Sequence, residues 1–224
     1  MKIGILGGTG KEGSGLAYRW ALAGHEVVIG SRDEAKAAAG AAELNQLLGG
    51  KAVVRGASNA DAAQADVVVL TVPYAAQLAT VDSVAAKLAG KILIDVTVPL
   101  MPPKVDRVQL PNGESAVVAL QRRLGAQVKV VSAFQNVSAT HLKDPAHEVD
   151  CDVLVCGDDA DAREVVIGLA HDAGLRAWHA GVLANSIASE ALTSVLIAIN
   201  KRYKVAGSGI RITGVDGIPR KQAP

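Results

Sequence analysis

Gly8, Gly10 and Gly13 stand in Gly-x-Gly-x-x-Gly spacing within Gly8-Thr9-Gly10-Lys11-Glu12-Gly13. A short apolar run, Lys2–Gly7, precedes them and a helical run, Gly10–Ala23, follows. In that setting Gly8 allows a tight turn, Gly10 lets backbone approach a pyrophosphate, and Gly13 lets helix and strand pack closely. The free N–H groups at the helix start, around Lys11 and Glu12, then face the phosphates. A second apolar run, Glu26–Gly30, ends in Ser31-Arg32. A site for an unphosphorylated adenosine ribose places Asp or Glu at that strand tip. Here Ser31 offers a hydroxyl and an N–H, and Arg32 a planar fork of donors. Thr9 in the glycine loop and Lys36, four residues after Arg32, can reach the same point. This set suits a 2′-phosphate and predicts NADP(H).

Thr71-Val72-Pro73-Tyr74 closes a continuous apolar strand and belongs beside the cofactor. Tyr74 either covers a cofactor ring or packs as a loop aromatic. Val96–Leu100 closes the next strand and turns Val98 toward the nicotinamide end.

The elements that must position these groups alternate between strand and helix. The patterning predicts strands at Lys2–Gly7, Glu26–Gly30, Ala52–Arg55, Val67–Val72, Lys91–Val96, Val128–Ala133, Cys151–Cys156 and Arg176–His179. Helices are predicted at Gly10–Ala23, Asp33–Leu48, Ser58–Gln64, Ala75–Leu88, Glu114–Leu124, Asp161–Ala173 and Leu183–Tyr203. The fold class is therefore α/β, a doubly wound Rossmann-type parallel sheet with a small C-terminal helical module. Residues 1–180 form the nucleotide-binding domain and residues 181–224 a C-terminal helix and tail. Gly207–Thr213 is a candidate small strand, and residues from Gly214 onward read as a frayed end. Half the residues are apolar but only 3% are aromatic, so Ala, Val, Leu and Ile must build the core.

A net charge of +1 gives no overall field toward nucleic acid or a membrane surface. Cys151 and Cys156 point to opposite faces of one strand, which argues against a disulfide. With no signal peptide in the N-terminal run, the expected compartment is the cytoplasm. The broad apolar face of Leu183–Tyr203 predicts a homodimer. No Tyr-x-x-x-Lys pair is present, Asn200-Lys201 stands in the wrong order for a Lys-x-x-x-Asn motif, and no cluster has metal-ligand spacing. The lack of an obvious general acid favours an acceptor needing little proton help, such as a flavin-like ring, with proximity and orientation supplying the catalysis. Another acceptor of hydride (a flavin, an imine, a small carbonyl) and a non-catalytic NADP(H) sensor remain open alternatives.

The chain resembles the F420-dependent NADP reductase family. The matching stretches are ILGGTGKEGSGLAYRWALAGHEVVIGSR, LTVPY, VVSAFQNVSA, DVLVCGDD, AGVLANS and RYKVAGSGIRIT. The resemblance implies a dimeric Rossmann protein that moves hydride reversibly between NADPH and the deazaflavin coenzyme F420, a small-molecule co-substrate. It implies that Thr9, Ser31, Arg32 and Lys36 bind the 2′-phosphate. It further implies that Ala133–Val137, continuing to Ala139, meets the stacked rings, and that Gly207–Ile212 lines the deazaflavin pocket. Lys201, Arg202, Lys204 and Arg211 are candidates for its acidic tail. Family members carry His at the deazaflavin site where this chain has Gln135, followed by Asn136. These two hydrogen-bonding amides are the candidate catalytic pair.

Overall fold

The computed structural model describes residues 1–144 and 146–215. Among them, eight strands form one sheet in the order β3-β2-β1-β4-β5-β6-β7-β8. They are β1 (Lys2–Leu6), β2 (Glu26–Ser31), β3 (Val54–Ser58), β4 (Val67–Leu70), β5 (Ile92–Asp95), β6 (Lys129–Ser132), β7 (Asp152–Gly157) and β8 (Arg176–His179). All pairings are parallel except β6 with β7. The helices are α1 (Lys11–Leu22), α2 (Glu34–Leu48), α3 (Asn59–Ala62), α4 (Gln77–Asp82), α5 (Ala116–Leu124), α6 (Ala160–Asp172) and α7 (Ser186–Tyr203). The inner strands are rich in Val, Ile and Leu because both faces are covered, as parallel sheets require, whereas the outer β3 and β8 are partly exposed and mixed in composition. One apolar cluster joins the sheet to α1, α2 and α6, and a second joins its other face to α3, α4 and α5.

Three expected elements differ. The third strand starts at Val54 because Asn45 of α2 ties both the N–H and the carbonyl of that residue, at 2.7 and 2.9 Å. The expected single helix Ala75–Leu88 is broken into a tight turn at Tyr74–Ala76, the short α4, and a second turn at Ala85–Lys87. Ser83 donates its hydroxyl to the Thr80 carbonyl at 2.7 Å, the local bond by which Ser competes with helix propagation. Gly207–Thr213 forms no strand. The segment instead runs past the start of β7, where the Ile210 carbonyl accepts the Asp152 N–H at 2.8 Å and the Ile212 N–H donates to the Asp152 carboxylate, contacts too few to make a ladder.

Arg19 of α1 fixes the chain beyond β6. Its guanidinium is buried and donates to the carbonyls of Leu142, Ala173, His141, Asp144 and His147 at 2.8–3.2 Å. Gly15, one turn earlier, leaves no room for a Cβ, which would sit 2.5 Å from Leu142. Arg19→Met should therefore cost about 2 kcal/mol or more in urea unfolding, because several carbonyls lose their donor. Arg19→Lys should not restore it, since one ammonium cannot serve the same fork. A change within about 0.5 kcal/mol for Met would show that these carbonyls find other donors.

Candidate active site

Strand order reverses between β1 and β4, the point at which an open α/β sheet leaves a crevice at its carboxyl edge. A recess of about 230 Å³ lies there, lined by Gly7, Thr9, Gly10, Ser31, Arg32, Lys36, Asn59, Thr71, Val72, Pro73, Ala76 and Thr80. Thr9, Gly10, Ser31, Arg32, Lys36, Thr71, Val72 and Pro73 are thus brought together as the sequence implies. The lining holds two cations and no carboxylate. Asp33, the nearest acid in sequence, is occupied as the cap of α2, accepting the Lys36 N–H at 3.2 Å, and its own N–H donates to Ser31 Oγ at 3.1 Å. The volume is below the roughly 300–1,000 Å³ of a drug-sized pocket and fits one end of a dinucleotide.

The three motif glycines have separable reasons. The left-handed residue of the turn is Gly7, at φ +70°, rather than Gly8. Gly8 is needed because a Cβ would lie 2.8 Å from Ile29 Cβ, and Gly13 because one would meet Thr71 Oγ1 at 2.4 Å. At Gly10 the nearest protein atoms to such a Cβ are the Gly7 and Thr71 carbonyl oxygens, at 3.5 and 3.9 Å. Protein packing does not demand glycine there, and the bare backbone is open to a ligand, as a pyrophosphate needs. Lys11 is exposed at the start of α1. The residues present fit an NADP(H) molecule.

Sequence reading missed Asn59, Ala76, Thr80, Gln77 and Asp95. Asn59 Oδ1 accepts the Gly7 N–H at 3.2 Å and so supports the loop from below. Only the pairing of β1 with β2 and β4, and of α3 beneath them, brings it there. Ala76 and Thr80 follow the Thr71–Tyr74 stretch at helical spacing, a signal that was legible. Tyr74 opens the Tyr74–Ala76 turn half-buried, and Val98 lies half-buried in the extended chain after β5.

The expected acceptor segment follows β6. Ala133 and Val137 are buried, and Ala139 opens a short turn. Phe134 takes φ +71° and packs edge-on against Trp20, with ring centroids 5.9 Å apart. This turn sends the next two side chains apart. Gln135 Nε2 donates to the Asp95 carbonyl at 2.8 Å and to Ser132 Oγ at 2.7 Å. Asn136 Nδ2 donates to the Asp152 carbonyl at 2.7 Å and to Cys151 Sγ at 3.2 Å. Both residues are buried, and Gln135 Oε1 and Asn136 Oδ1 have no protein partner. Each therefore keeps one free acceptor, which calls for a donor in that position.

The tail segment meets this region. A Cβ on Gly207 would lie 2.7 Å from Ser138 Oγ, and one on Gly209 2.7 Å from Cys151 Cβ. The Asp152 carboxylate accepts from Arg176, from Trp178 Nε1 at 2.8 Å and from the Ile212 N–H at 2.7 Å. Burial opposes its charge, but these donors hold its pKa below the ordinary value. Lys201 pairs with Asp106 at 2.8 Å and Arg211 with Asp150, so both already have anionic partners.

Glu12 lies on the face of α1 shared with Gly15 and Arg19, toward the segment that follows β6. Its Oε1 is sealed from solvent without a partner. Burial pushes this carboxyl up from 4.5 to about 8. Between those values the unfolded chain has released the proton and the folded chain keeps it, so stability falls as pH rises through the interval. Glu12→Gln, which cannot ionise, should gain in Tm over wild type, and the gain should grow between about pH 5 and about pH 8. A gain that stays flat across that interval would show that the carboxyl is solvated.

Comparison with known proteins agrees with this geometry. The family model described as NADP oxidoreductase, coenzyme F420-dependent, matches residues 2–99. The F420-dependent NADP reductase of Methanocaldococcus jannaschii is 43% identical over 224 residues, covering 96% of this chain and 100% of the relative. That of Methanothermobacter thermautotrophicus is 43% identical over 222 residues, covering 96% of each. The crystal structure of a provisionally assigned F420-dependent NADP reductase from Arthrobacter sp. FB24 superposes with a TM-score of 0.79 at 33% identity, covering 95% of this chain and 99% of that one. Near-complete mutual coverage, together with a donor-lined recess at the β1/β4 reversal, places this chain in the F420-dependent NADP reductase family.

Proposed function

We infer that this chain is an oxidoreductase that transfers hydride between NADPH and coenzyme F420. The observation that carries this reading is the acid-free recess holding Thr9, Ser31, Arg32 and Lys36 at the tip of β2, in a chain matching F420-dependent NADP reductases over nearly its whole length. Bound, the nicotinamide gives or takes the hydride and the deazaflavin ring supplies the complementary carbon. The protein's own work is then placement. The N–H groups at the start of α1, across Gly10–Gly13, hold the pyrophosphate. Arg32 and Lys36 hold the 2′-phosphate, each charged hydrogen bond contributing roughly 1.5–3 kcal/mol. Gln135 and Asn136 hold the segment beside the rings in place through the Asp95 and Asp152 carbonyls. Ala133–Ala139 and Gly207–Ile212 exclude water around the rings, which lets orientation supply most of the rate.

Residues 1–180 serve the nucleotide, and residues 181–224 serve the acceptor pocket and a homodimer. α7 belongs to the stretch Leu183–Tyr203, which is apolar and long enough to cross a membrane by length and composition alone, with a third of it buried. Its Glu190 carboxylate caps the start of α5, accepting the Ala116 and Val117 N–H groups at 2.9 and 3.2 Å, and this ties the helix to the sheet. Its outward Val195, Ile199 and Tyr203 suit a second copy better than lipid. We place the protein in the cytoplasm, consistent with two free, buried cysteines.

Mixing the protein with NADPH and the oxidised deazaflavin should bleach the deazaflavin absorbance. NADPH oxidation with a flavin or imine but not the deazaflavin would transfer the assignment to another acceptor. Arg32→Ala should weaken NADPH by about tenfold or more while leaving NADH nearly unchanged; equal losses would remove the 2′-phosphate assignment. Ile199→Asp should halve the mass seen by light scattering, and a wild type that is already monomeric would refute the dimer.

A further inference from the structure

Asp95 ends β5 with its carboxylate fully buried, and the placement of ligands described above does not use it. Its Oδ2 accepts from Gln77 Nε2 at 2.6 Å, and its Oδ1 accepts the Thr97 N–H at 2.8 Å. Gln77 is the first residue of α4 and lies between Ala76 and Thr80, both in the wall of the recess. The main-chain oxygen of Asp95 holds Gln135 Nε2 at 2.8 Å. The Gln135 carbonyl in turn accepts from Thr193 of α7 at 2.8 Å. One residue therefore grips the nucleotide wall with its carboxylate and the acceptor segment with its carbonyl.

A carboxylate at zero exposure is a costly way to fill space, and an apolar or amide side chain would pack more cheaply. The wall it grips has little else to order it. α4 has six residues, too few for a helix to be stable alone. It is preceded by Pro73 and followed by the Ser83 bond that ends it. A charge-assisted hydrogen bond, about twice as strong as a neutral one, anchors such a segment where a neutral bond would leave it loose.

We propose that Asp95 is a positioning residue that locks the Pro73–Thr80 wall into its nucleotide-binding geometry through Gln77. The inference rests on the NADP(H) reading of the recess. It predicts a pH signature. Burial raises the Asp95 carboxyl to about 6, the Thr97 and Gln77 hydrogen bonds work the other way, and Glu190 on α7 adds to the rise. The side chains beside it in register on β4 and β6, Leu70 and Ser132, carry no charge. The carboxylate grip is complete above that value and is lost as pH falls through it.

The test measures the Kd of NADPH from about pH 5.5 to about pH 7.5 for wild type, Asp95→Asn and Gln77→Met, together with KM for both substrates. The 2′-phosphate takes up its own proton near pH 6, so each variant is compared with wild type at the same pH. Gln77→Met should weaken NADPH about tenfold at pH 7.5 and leave the KM of the acceptor in place, because Gln135 is held by a carbonyl that the substitution does not touch. Asp95→Asn should show its largest loss at the high end of the range and converge on wild type at the low end. Parallel curves for Asp95→Asn, or wild-type NADPH affinity in folded Gln77→Met, would overturn the proposal. The pH comparison stands by itself if Gln77→Met does not fold. A wild type that binds no nucleotide would remove the NADP(H) reading and this proposal with it.

Discussion

The contact between the glycine loop and the end of β4 is the constraint on which the rest depends. Gly13 lies so close to Thr71 that no side chain fits between them, and the Thr71 hydroxyl and N–H both donate to the Leu6 carbonyl at 3.0 Å. This closeness brings the start of α1 to the carboxyl edge at the point where strand order reverses. The helix N–H groups, the tip of β2 and the chain after β4 then share one recess. A bulkier residue at Gly13 would push α1 off the sheet and separate the donors from one another.

Around that contact the molecule places its polar groups in layers. Near the surface, Arg32 and Lys36 remain exposed, where a phosphate can pair with them without a prior desolvation cost. Beneath, Asn59, Gln77, Asp95, Ser132 and Gln135 are buried and bonded to one another or to main chain. Such a network is costly when incomplete, so nearly every member has a partner. Two of the unpartnered atoms, Gln135 Oε1 and Asn136 Oδ1, occur after β6, where the chain turns at a non-glycine residue with positive φ. A positive-φ turn and unused hydrogen-bonding capacity therefore coincide in that one segment.

The far end of the chain closes the arrangement. α7 is fastened by Glu190 to the start of α5 and by Thr193 to Gln135. The tail then returns over Ser138 and Cys151 to the buried Asp152 carboxylate. Both segments that family resemblance assigns to the acceptor, one after β6 and one at residues 207–212, therefore meet, although about 70 residues separate them in sequence.

The sequence by itself determined what local chemistry determines. The glycine spacing, the unbroken apolar strands and the acid-free Ser31-Arg32 tip are short-range features, and they were legible as a Rossmann unit suited to NADP(H). Tertiary structure alone decided what depends on partners distant in the chain. Asp33, next to Arg32 in sequence, is turned to cap α2 and stays out of the recess lining. α4 is short because Ser83 bonds backward and Gln77 is drawn inward to Asp95. Residues 207–213 form no strand because a single main-chain bond, from the Asp152 N–H to the Ile210 carbonyl, joins them to β7. Gln135 and Asn136, adjacent in sequence and read as a pair, diverge because Phe134 turns the chain between β5 and β7. Periodicity and composition cannot encode such outcomes, since each is set by which buried group finds its hydrogen-bond partner across the sheet.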